Sequence, residues 1–553
     1  MRGGLRQMFD ALICLAVTVI LVRTFQVEGY MISTGSMAPT LPGFHKRVIC
    51  PACRFEFPVG DAHPHDDFGQ PEEQTGSHVS AADSPHPPEN SLSASSTGMT
   101  AVCPNCGLHS IDISKIPRNQ GDQLLVHKNA YDYLSPHRWE VIVFRNPRRP
   151  TQAYVKRIVG LPGETIRIRD GNVWVNDEIQ RKSFQQQRAM RILVYDHNFE
   201  PRNDSNWQPR WFVETGNPDW KRAGQAFESA ISVHSRGKES RPFSWVTYRH
   251  WIRAGGTHQT EVKVPQSLQR HDLATPSLYP LKYDDKTKTL SHTGVLPDRA
   301  RDRIAAVIDD PAFRQFMSEF AEKTHLAPVT DDYGYNRVHR SYRPVPVRDL
   351  MLAATLSLRG GHGQFAMELT DGQQRFRFIL DAATRDVSLI AVDEHKVLRR
   401  ARLKAEVLNE PLQVEMSLFD RQVLVAVNGQ TIFKPWFLDA VSSKEDFSHM
   451  PARIGVRELQ VRVSSIKLYR DVHYTQKGKT KSFTLKDDEF FMLGDNSPIS
   501  ADSRVWEGGG VHRRLFLGKP ILVHLPSRPG KFQIGGFNIH IRIPDLSRIR
   551  YIR

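Results

Sequence analysis

The stretch that organises the chain reads Ser33-Thr34-Gly35-Ser36-Met37-Ala38-Pro39-Thr40-Leu41. Ser36 is the candidate nucleophile. Gly35 lets the backbone approach another group closely, and Pro39 fixes a bend after the serine, so we expect the hydroxyl on a tight loop. A serine hydroxyl needs a base near neutral pH, yet no Ser-His-Asp arrangement is legible around it. A Ser/Thr-rich turn without chemistry is the alternative.

An apolar segment precedes this loop. The apolar run covers residues 11–22 and follows two arginines, Arg2 and Arg6. Its flanks extend it toward the roughly 20 residues that span a bilayer. A cleaved signal peptide is the alternative, but no small-x-small cleavage site follows the run. We therefore expect a transmembrane anchor over residues 8–25, with residues 1–7 in the cytoplasm and the rest of the chain beyond the membrane.

Length and composition predict several units. The 553 residues suggest about three or four domains, and a hydrophobic fraction of 39% is enough for packed cores. The formal net charge of +15 would suit nucleic acid or an anionic membrane. Lys and Arg are scattered along the chain, however, so we expect no nucleic-acid partner.

Four of the five cysteines form two C-x2-C pairs, Cys50 with Cys53 and Cys103 with Cys106. This spacing turns the chain back on itself and predicts a tetrahedral site for one structural zinc. Two disulfides or a redox pair are the alternatives. Between the pairs, residues 60–99 are rich in Pro, Ser, His, Asp and Glu, which predicts a disordered loop rather than a metal site. That loop contains four histidines, His63, His65, His78 and His86.

From Gly121 onward, the sequence pattern changes to short strands with alternating apolar residues. Runs at 124–126, 141–144 and 154–159 are typical of strands, and 165–176 reads as a hairpin that turns at Asp170-Gly171. Period two places Lys156 on an apolar strand face with Tyr154 and Ile158. Burial lowers the pKa of a lysine, and such a lysine can act as a general base. A lysine on an edge strand with its ammonium group in water is the alternative.

Residues 182–476 form a long block that is poor in chemistry and rich in strand signals. Alternation at 412–418, at 423–427 and from 459 onward favours a β-sandwich. A helical interlude at 299–324 contains Pro311, which is expected to break it in two. Six tryptophans could line a sugar-binding face, but core packing is the commoner fate: Trp207, Trp211, Trp220, Trp245, Trp251 and Trp436.

The last informative stretch runs from Phe490 to Arg504, where an apolar strand ends in a dense polar loop. Its carboxylates, hydroxyls and guanidinium could hold a neutral lysine and order its surroundings. A tight capped turn is the alternative.

Taken together and in this order, these segments resemble the bacterial type I signal peptidases, membrane-bound serine proteases with a Ser/Lys dyad. The resemblance rests on the apolar segment and on residues 33–41, 121–131, 154–163 and 494–504. It implies that Ser36 is the nucleophile and Lys156 the general base. Thr34 would join the Ser36 backbone N–H in the oxyanion hole. The resemblance also implies that the dyad is supported by Ser500, Asp502 and Arg504.

The resemblance implies a mainly β, β-rich catalytic domain. The sequence departs from the family in two inserts that interrupt no motif, a zinc-ribbon-like insert and a large β-sandwich insert that resembles laminin-G or concanavalin-like domains. Such an arrangement is reminiscent of planctomycete enzymes. The expected segments are the cytoplasmic N-terminus 1–7, the anchor 8–25, a first catalytic segment 26–49, the four-cysteine insert 50–106, a second catalytic segment 107–181, the sandwich insert 182–476, a third catalytic segment 477–528 and a basic tail 529–553.

The expected activity is cleavage of signal peptides through an acyl-enzyme, with no cofactor in catalysis. The substrates implied are exported preproteins with small residues at the first and third positions before the cut. The partners implied are membrane lipid and the secretion translocon, and the location is the cytoplasmic (inner) membrane, with the catalytic domain outside. A catalytically inactive membrane-anchored binding protein and a self-cleaving Ser/Lys repressor are the alternatives. We expect the 182–476 block to be dispensable for cutting a short substrate, with strands 173–175 and 489–493 in one host sheet.

Overall fold

The structure, a computed structural model, describes residues 2–61, 99–214, 219–230, 242–336, 343–409, 411–438, 446–477, 482–524, 526–534 and 537–552. Residues 62–98 of the predicted disordered loop, which include its four histidines, lie outside the described residues. Up to residue 179 the elements are α1 (Arg2–Phe25), β1 (Val27–Met31), β2 (His45–Ile49), β3 (Glu56–Gly60), β4 (Thr100–Ala101), β5 (Ile111–Asp112), β6 (Arg118–Asn119), β7 (Gln123–His127), α2 (Ala130–Tyr133), β8 (Val141–Arg145), β9 (Ala153–Gly160), β10 (Thr165–Arg169), β11 (Asn172–Val175) and β12 (Glu178–Ile179).

The predicted anchor forms helix α1. Among the residues that the structure describes, no helix is both long and apolar enough to cross a membrane.

The predicted strands around Lys156 are confirmed and belong to one antiparallel sheet. After the long block come β30 (Phe483–Thr484), β31 (Glu489–Leu493), β32 (Gly510–His512), β33 (Phe516–Val523), β34 (Ser527–Ile534), β35 (Phe537–Pro544) and β36 (Arg550–Tyr551). The sheet order is β1-β7-β33-β8-β9-β31-β32, with β36 added beside β33. Central strand β8 is buried on both faces at residues 141–144. Lys156 lies opposite Ile142 in this sheet.

The predicted hairpin at 165–176 is also confirmed. Asp170 and Gly171 have φ of 51° and 82°, the left-handed conformation that a tight two-residue turn requires. This hairpin lies in a separate sheet, β12-β11-β10-β30. The prediction that β11 and β31 share one host sheet is therefore wrong, because β10 pairs with β30 and not with the large sheet.

The long block contains 17 strands in the described residues. Its elements are α3 (Phe184–Met190), β13 (Ile192–Asp196), β14 (Trp211–Val213), β15 (Trp220–Ala223), β16 (Ala226–Ser229), β17 (Ser244–Tyr248), β18 (Gln259–Lys263), β19 (Lys282–Asp284), β20 (Thr289–Thr293), α4 (Asp298–Ala305), α5 (Pro311–Thr324), β21 (Leu350–Thr370), β22 (Arg375–Asp381), β23 (Asp386–Ala391), β24 (Lys396–Arg402), β25 (Leu412–Ser417), β26 (Gln422–Val427), β27 (Gln430–Thr431), β28 (Trp436–Phe437) and β29 (Ala452–Arg470).

Two long strands, β21 and β29, form the spine of the block. They pair antiparallel from Leu350 with Arg470 to Leu369 with Ala452. One half of β21 also pairs with β25 and the other half with β22, so the sheet divides along its length. Five of the six tryptophans named above are buried, as expected for core residues, and Trp436 is half-buried. The laminin-G or concanavalin-like assignment stays a prediction.

The helical interlude is divided as predicted, with Pro311 at the first position of α5, where it has no helical hydrogen bond to lose. The chain end differs from expectation. Residues 529–553, predicted as a basic tail, include hairpin strand β35 and strand β36, which extends the large sheet beside β33. Arg550 donates to the Asp122 carboxylate at 2.8 Å, so this basic side chain pairs within the fold.

Candidate active site

The serine loop is folded by its own backbone. Ala38 N–H donates to the Gly35 carbonyl at 3.0 Å, and Leu41 N–H donates to the Met37 carbonyl at 2.8 Å. Met37 and Leu41 are buried in the apolar core on one face of the large sheet. These anchors leave Ser36 half-buried at the top of a tight loop, as the sequence predicts.

Lys156 meets Ser36 across 120 residues of sequence. Its Nζ lies 2.6 Å from Ser36 Oγ, and its side chain is only 3% exposed. The lysine ammonium also lies 5.1 Å from the centre of the Tyr154 ring. Thr34 Oγ1 lies 3.4 Å from Ser36 Oγ. The structure thus brings together the three groups that the sequence assigns to the nucleophile, the base and the oxyanion hole.

The 494–504 loop forms the floor below this pair. Asp502 and Arg504 make a buried two-point ion pair with N···O distances of 2.8 and 2.6 Å. Burial opposes ionisation of the Asp502 carboxyl, but the Arg504 charge and hydrogen bonds hold its pKa below the ordinary value. Asp502 also accepts a hydrogen bond from Gly494 N–H at 3.1 Å. This pair fixes both ends of the loop, and its predicted support of the dyad stays a prediction.

Ser500 is placed differently from its predicted role. Its Oγ is buried and, among the described residues, has no hydrogen-bond partner within bonding geometry. A Cβ added to Gly494 would lie 2.3 Å from this oxygen and 2.5 Å from the Ser36 carbonyl. Ser500 therefore lies against the backbone beside the serine.

Several residues near the site were not assigned roles from the sequence. Arg157, next to the lysine, makes a buried two-point pair with Asp495 at 2.9 and 2.7 Å. Lys477 Nζ donates to the Ser500 carbonyl at 2.9 Å. Burial, then repulsion by Arg504 and Lys156, lowers the pKa of Lys477 to about 8. The alternation that singles out Lys156 places Arg157 on the opposite face, but no sequence signal connects Lys477 to the dyad.

The four cysteines form a second, separate site. Their sulfur atoms lie within 4.8 Å of one another, and all four side chains are buried. Cys50 and Cys106 sulfurs are 3.6 Å apart, as are those of Cys53 and Cys103. Tetrahedral bonds of about 2.3 Å place sulfurs roughly 3.8 Å apart, so the set fits a closed zinc site. The distances exclude disulfide bonds in this structure, where all four are free thiols.

Each C-x2-C pair forms a tight turn, which we call a knuckle, and the two knuckles have the same backbone hydrogen bonds. Cys50 N–H donates to Phe55 O and Cys50 O accepts from Arg54 N–H, both at 2.9 Å. Cys103 N–H donates to Leu108 O, and Cys103 O accepts from Gly107 N–H. Arg54 and Gly107, at matching positions, have φ of 66° and 70°. The repeated geometry is what C-x2-C spacing predicts for ligands of one metal.

Three aspartates also lie close together, with one carboxylate oxygen of each within 4.8 Å of the others: Asp349, Asp420 and Asp471. It surrounds the buried Lys182 ammonium, which lies 2.8 Å from an Asp471 oxygen and pairs with Asp420 as well. Burial opposes the charge, but the two aspartates raise the pKa of Lys182. The Lys182 ammonium group supplies the positive charge at this cluster. Its ion pair with Asp471 joins residues 182 and 471, which lie near the two ends of the long block.

Part of this chain is similar in sequence to known proteins. A family model described as "Signal peptidase, peptidase S26" matches residues 115–217, a range that includes Lys156 and precedes most of the long block. Probable signal peptidase I-2 of Synechocystis is 32% identical over 114 residues. Part of this chain is therefore similar to the type I signal peptidases.

The similarity is partial in extent. The match to the Synechocystis protein covers 18% of this chain and 52% of that protein. Signal peptidase I of Pseudomonas aeruginosa is 39% identical over 72 residues, which cover 11% of this chain and 25% of that protein. The chain thus spans about half or less of the length of these curated relatives. The matched family range does not include Ser36 or residues 494–504.

Solved structures give only a distant likeness. A carbohydrate-binding module from Bacillus subtilis matches 22% of the chain and 74% of its own, at 12% identity and a TM-score of 0.18. The galectin LEC-6 of Caenorhabditis elegans matches 22% of the chain and 83% of its own, at 14% identity and a TM-score of 0.18. At these TM-scores neither likeness carries an argument.

Proposed function

We propose that this chain is a membrane-bound serine endopeptidase that removes signal peptides from exported preproteins by a Ser/Lys dyad. The observation that carries the proposal is the 2.6 Å separation of the buried Lys156 Nζ from Ser36 Oγ. The described residues around Ser36 supply this lysine as the base within reach of the hydroxyl.

The reaction follows from these positions. Neutral Lys156 accepts the Ser36 proton while Ser36 Oγ attacks the carbonyl carbon before the cut. The oxyanion forms toward the Ser36 N–H and the Thr34 hydroxyl. Lys156 then gives its proton to the leaving amine, which leaves an acyl-enzyme. Lys156 next takes a proton from water, the resulting attack releases the signal peptide, and the proton returns to Ser36 Oγ. No step requires a cofactor.

The substrate is proposed to bind as an extended strand. Strand β1 leads into the serine loop and, among the strands of the described residues, pairs only with β7, so it forms an edge of the sheet. Its free edge can hydrogen-bond a peptide backbone, and shallow pockets then admit only small side chains at the first and third positions before the cut. Asp502 and Arg504 keep the floor of the site rigid and thereby support the dyad.

Attachment to the inner membrane belongs to the proposal. Apolar side chains on successive turns of α1 are about half exposed: Met8, Phe9, Leu12, Ile13, Leu15, Val17, Val19, Ile20 and Leu21. Exposed apolar side chains around a helix favour contact with lipid. With Arg2 and Arg6 in the cytoplasm, the catalytic domain lies on the outer side, where preproteins leave the secretion translocon.

The four cysteines are proposed to hold one structural zinc. All four positions of the tetrahedron are filled by thiolates, so the metal has no open position and takes no part in catalysis.

The function is tested by incubating the purified chain in detergent with a preprotein that has alanine at the first and third positions before the cut. Cleavage at the predicted bond is expected, and a preprotein with leucine or phenylalanine at the first position should be cut at least about tenfold more slowly, since a large side chain does not fit. The Ser36→Ala variant is the control for contaminating proteases. Absence of cleavage by the wild-type chain, or equal cleavage by the control, contradicts the proposal and favours a binding protein.

Lys477 gives a prediction for the pH dependence. Since repulsion between two ammonium groups is mutual, a charged Lys477 disfavours protonation of Lys156. In Lys477→Met this repulsion is absent, so the acid limb of the rate profile should move to higher pH. The difference should fade above about pH 8, where Lys477 itself is neutral.

Initial rates across the neutral and alkaline range measure this shift, and Lys477→Arg is the matched control because it keeps the charge. The groups that face Lys477 are Lys156, Arg504 and Asp502. An acid limb that is identical in wild type and Lys477→Met would rule out this coupling.

A further inference from the structure

The long block reaches the serine loop through residues 333–336, which we call the strap. Tyr335 lies directly against Gly35: a Cβ added to Gly35 would be 2.4 Å from the Tyr335 ring. The Tyr335 hydroxyl donates to the Phe44 carbonyl at 3.0 Å, and Gly60 N–H donates to the Tyr335 carbonyl at 2.8 Å. A residue of the block therefore touches the backbone just before the proposed nucleophile.

Asn336 continues this contact by pairing its half-buried side-chain amide with the buried amide of Asn496. Its Nδ2 donates to Asn496 Oδ1 at 2.9 Å, and Asn496 Nδ2 donates back to Asn336 Oδ1 at 2.7 Å. Asn496 Nδ2 also donates to the Gly35 carbonyl at 3.0 Å. Asn496 N–H donates to the Ser36 carbonyl at 3.0 Å. Asn496 thus fixes the peptide groups on both sides of Ser36, and the strap fixes the side chain of Asn496.

The strap is itself held from two directions. The Tyr333 hydroxyl donates to the Asp495 carbonyl at 2.6 Å, and the Tyr333 ring faces the buried Arg470 guanidinium at 4.5 Å. On the other side, a Cβ added to Gly334 would be 2.7 Å from Pro104 of the second cysteine knuckle. The strap therefore fills the space between that knuckle and the serine loop.

We propose that the strap positions Ser36 for the reaction, so that the long block completes the active site. This inference rests on the proposed peptidase function. It also reverses the expectation that residues 182–476 are dispensable for cutting a short substrate, because their removal deletes every contact that the strap makes with the serine loop and with Asn496. Positioning matters because a displacement of about 1 Å at a reacting atom can cost up to about a hundredfold in rate.

The test compares single variants of the full chain in detergent. Asn336→Ala removes the amide partner of Asn496, and Tyr333→Phe removes one hydroxyl while keeping the ring. Tyr195→Phe is the matched control, because Tyr195 is also a buried tyrosine of the block with one hydroxyl donor, to Glu200 at 2.8 Å. On a short signal-peptide substrate we expect kcat of Asn336→Ala to fall about tenfold to a hundredfold, with KM changed less than about twofold.

A second readout does not depend on activity. Hydrogen exchange of the amides in residues 33–41 should become faster in Asn336→Ala and in Tyr333→Phe than in wild type, and should be unchanged in Tyr195→Phe. A lower kcat with faster loop exchange supports the strap. Unchanged kcat in an active enzyme, or unchanged loop exchange in both strap variants, overturns it. If the wild-type chain cuts no preprotein, the proposed function fails, while loop exchange still decides whether the strap holds the serine loop.

Discussion

Lys156→Arg is expected to abolish cleavage although it preserves the positive charge, with a loss of at least about 10³-fold in kcat. Arginine stays protonated and cannot accept the Ser36 proton. Lys156→Ala and Ser36→Ala should be equally inactive, because the two groups act as one unit. Initial rates on a preprotein and on a short peptide measure the loss.

Lys519→Met is the matched control for these variants. Lys519 belongs to β33 of the same sheet but pairs with Glu140 at 2.8 Å rather than with Ser36. Loss of a partly exposed ion pair costs about 1 kcal/mol or less, so activity should stay within about twofold. Circular dichroism should show all variants folded. Substantial turnover by Lys156→Arg or Lys156→Ala would remove Lys156 from the role of base.

Cys103→Ser is expected to release the metal and to destabilise the chain by several kcal/mol, because folding of a structural zinc site is linked to metal binding worth roughly 10 to 16 kcal/mol. The loss of stability should also affect residues outside the two knuckles. Cys50, Cys53, Cys103 and Cys106 lie in the same apolar core as buried side chains of the long block. Asn105 also joins the knuckles to the block, since its Oδ1 accepts from Asp196 N–H at 2.7 Å and its Nδ2 donates to the Phe199 carbonyl at 2.6 Å.

Metal analysis of the purified chain should give about one zinc per molecule in wild type and in Cys14→Ser. Cys14 is the matched control because it is exposed and outside the cluster. Cys103→Ser should lose zinc and unfold at a lower denaturant concentration. Disulfides between the knuckle cysteines, found by mass mapping of the wild-type protein, would contradict the zinc proposal.

The sequence determined the local structure because the signals for it are local. Alternation over five to eight residues is enough to define β7, β8 and β9, and Asp170-Gly171 defines a hairpin turn on its own. The same holds for the paired knuckles and for the break at Pro311. The family resemblance named Ser36 and Lys156, and period two supplied an independent reason to single out the lysine.

Tertiary structure decided what these local elements meet. The sequence predicts that Gly35 permits a close approach, but only packing shows that the approaching group is Tyr335, 300 residues later. Nothing local links Asn336 to Asn496, or distinguishes a detachable block from one that contacts the serine loop. Strand register and the apposition of distant segments depend on the summed burial of the whole chain, which leaves no signature at a single residue. For the same reason the basic residues 529–553 read as a tail in sequence, yet strand β36 completes the sheet that holds Lys156.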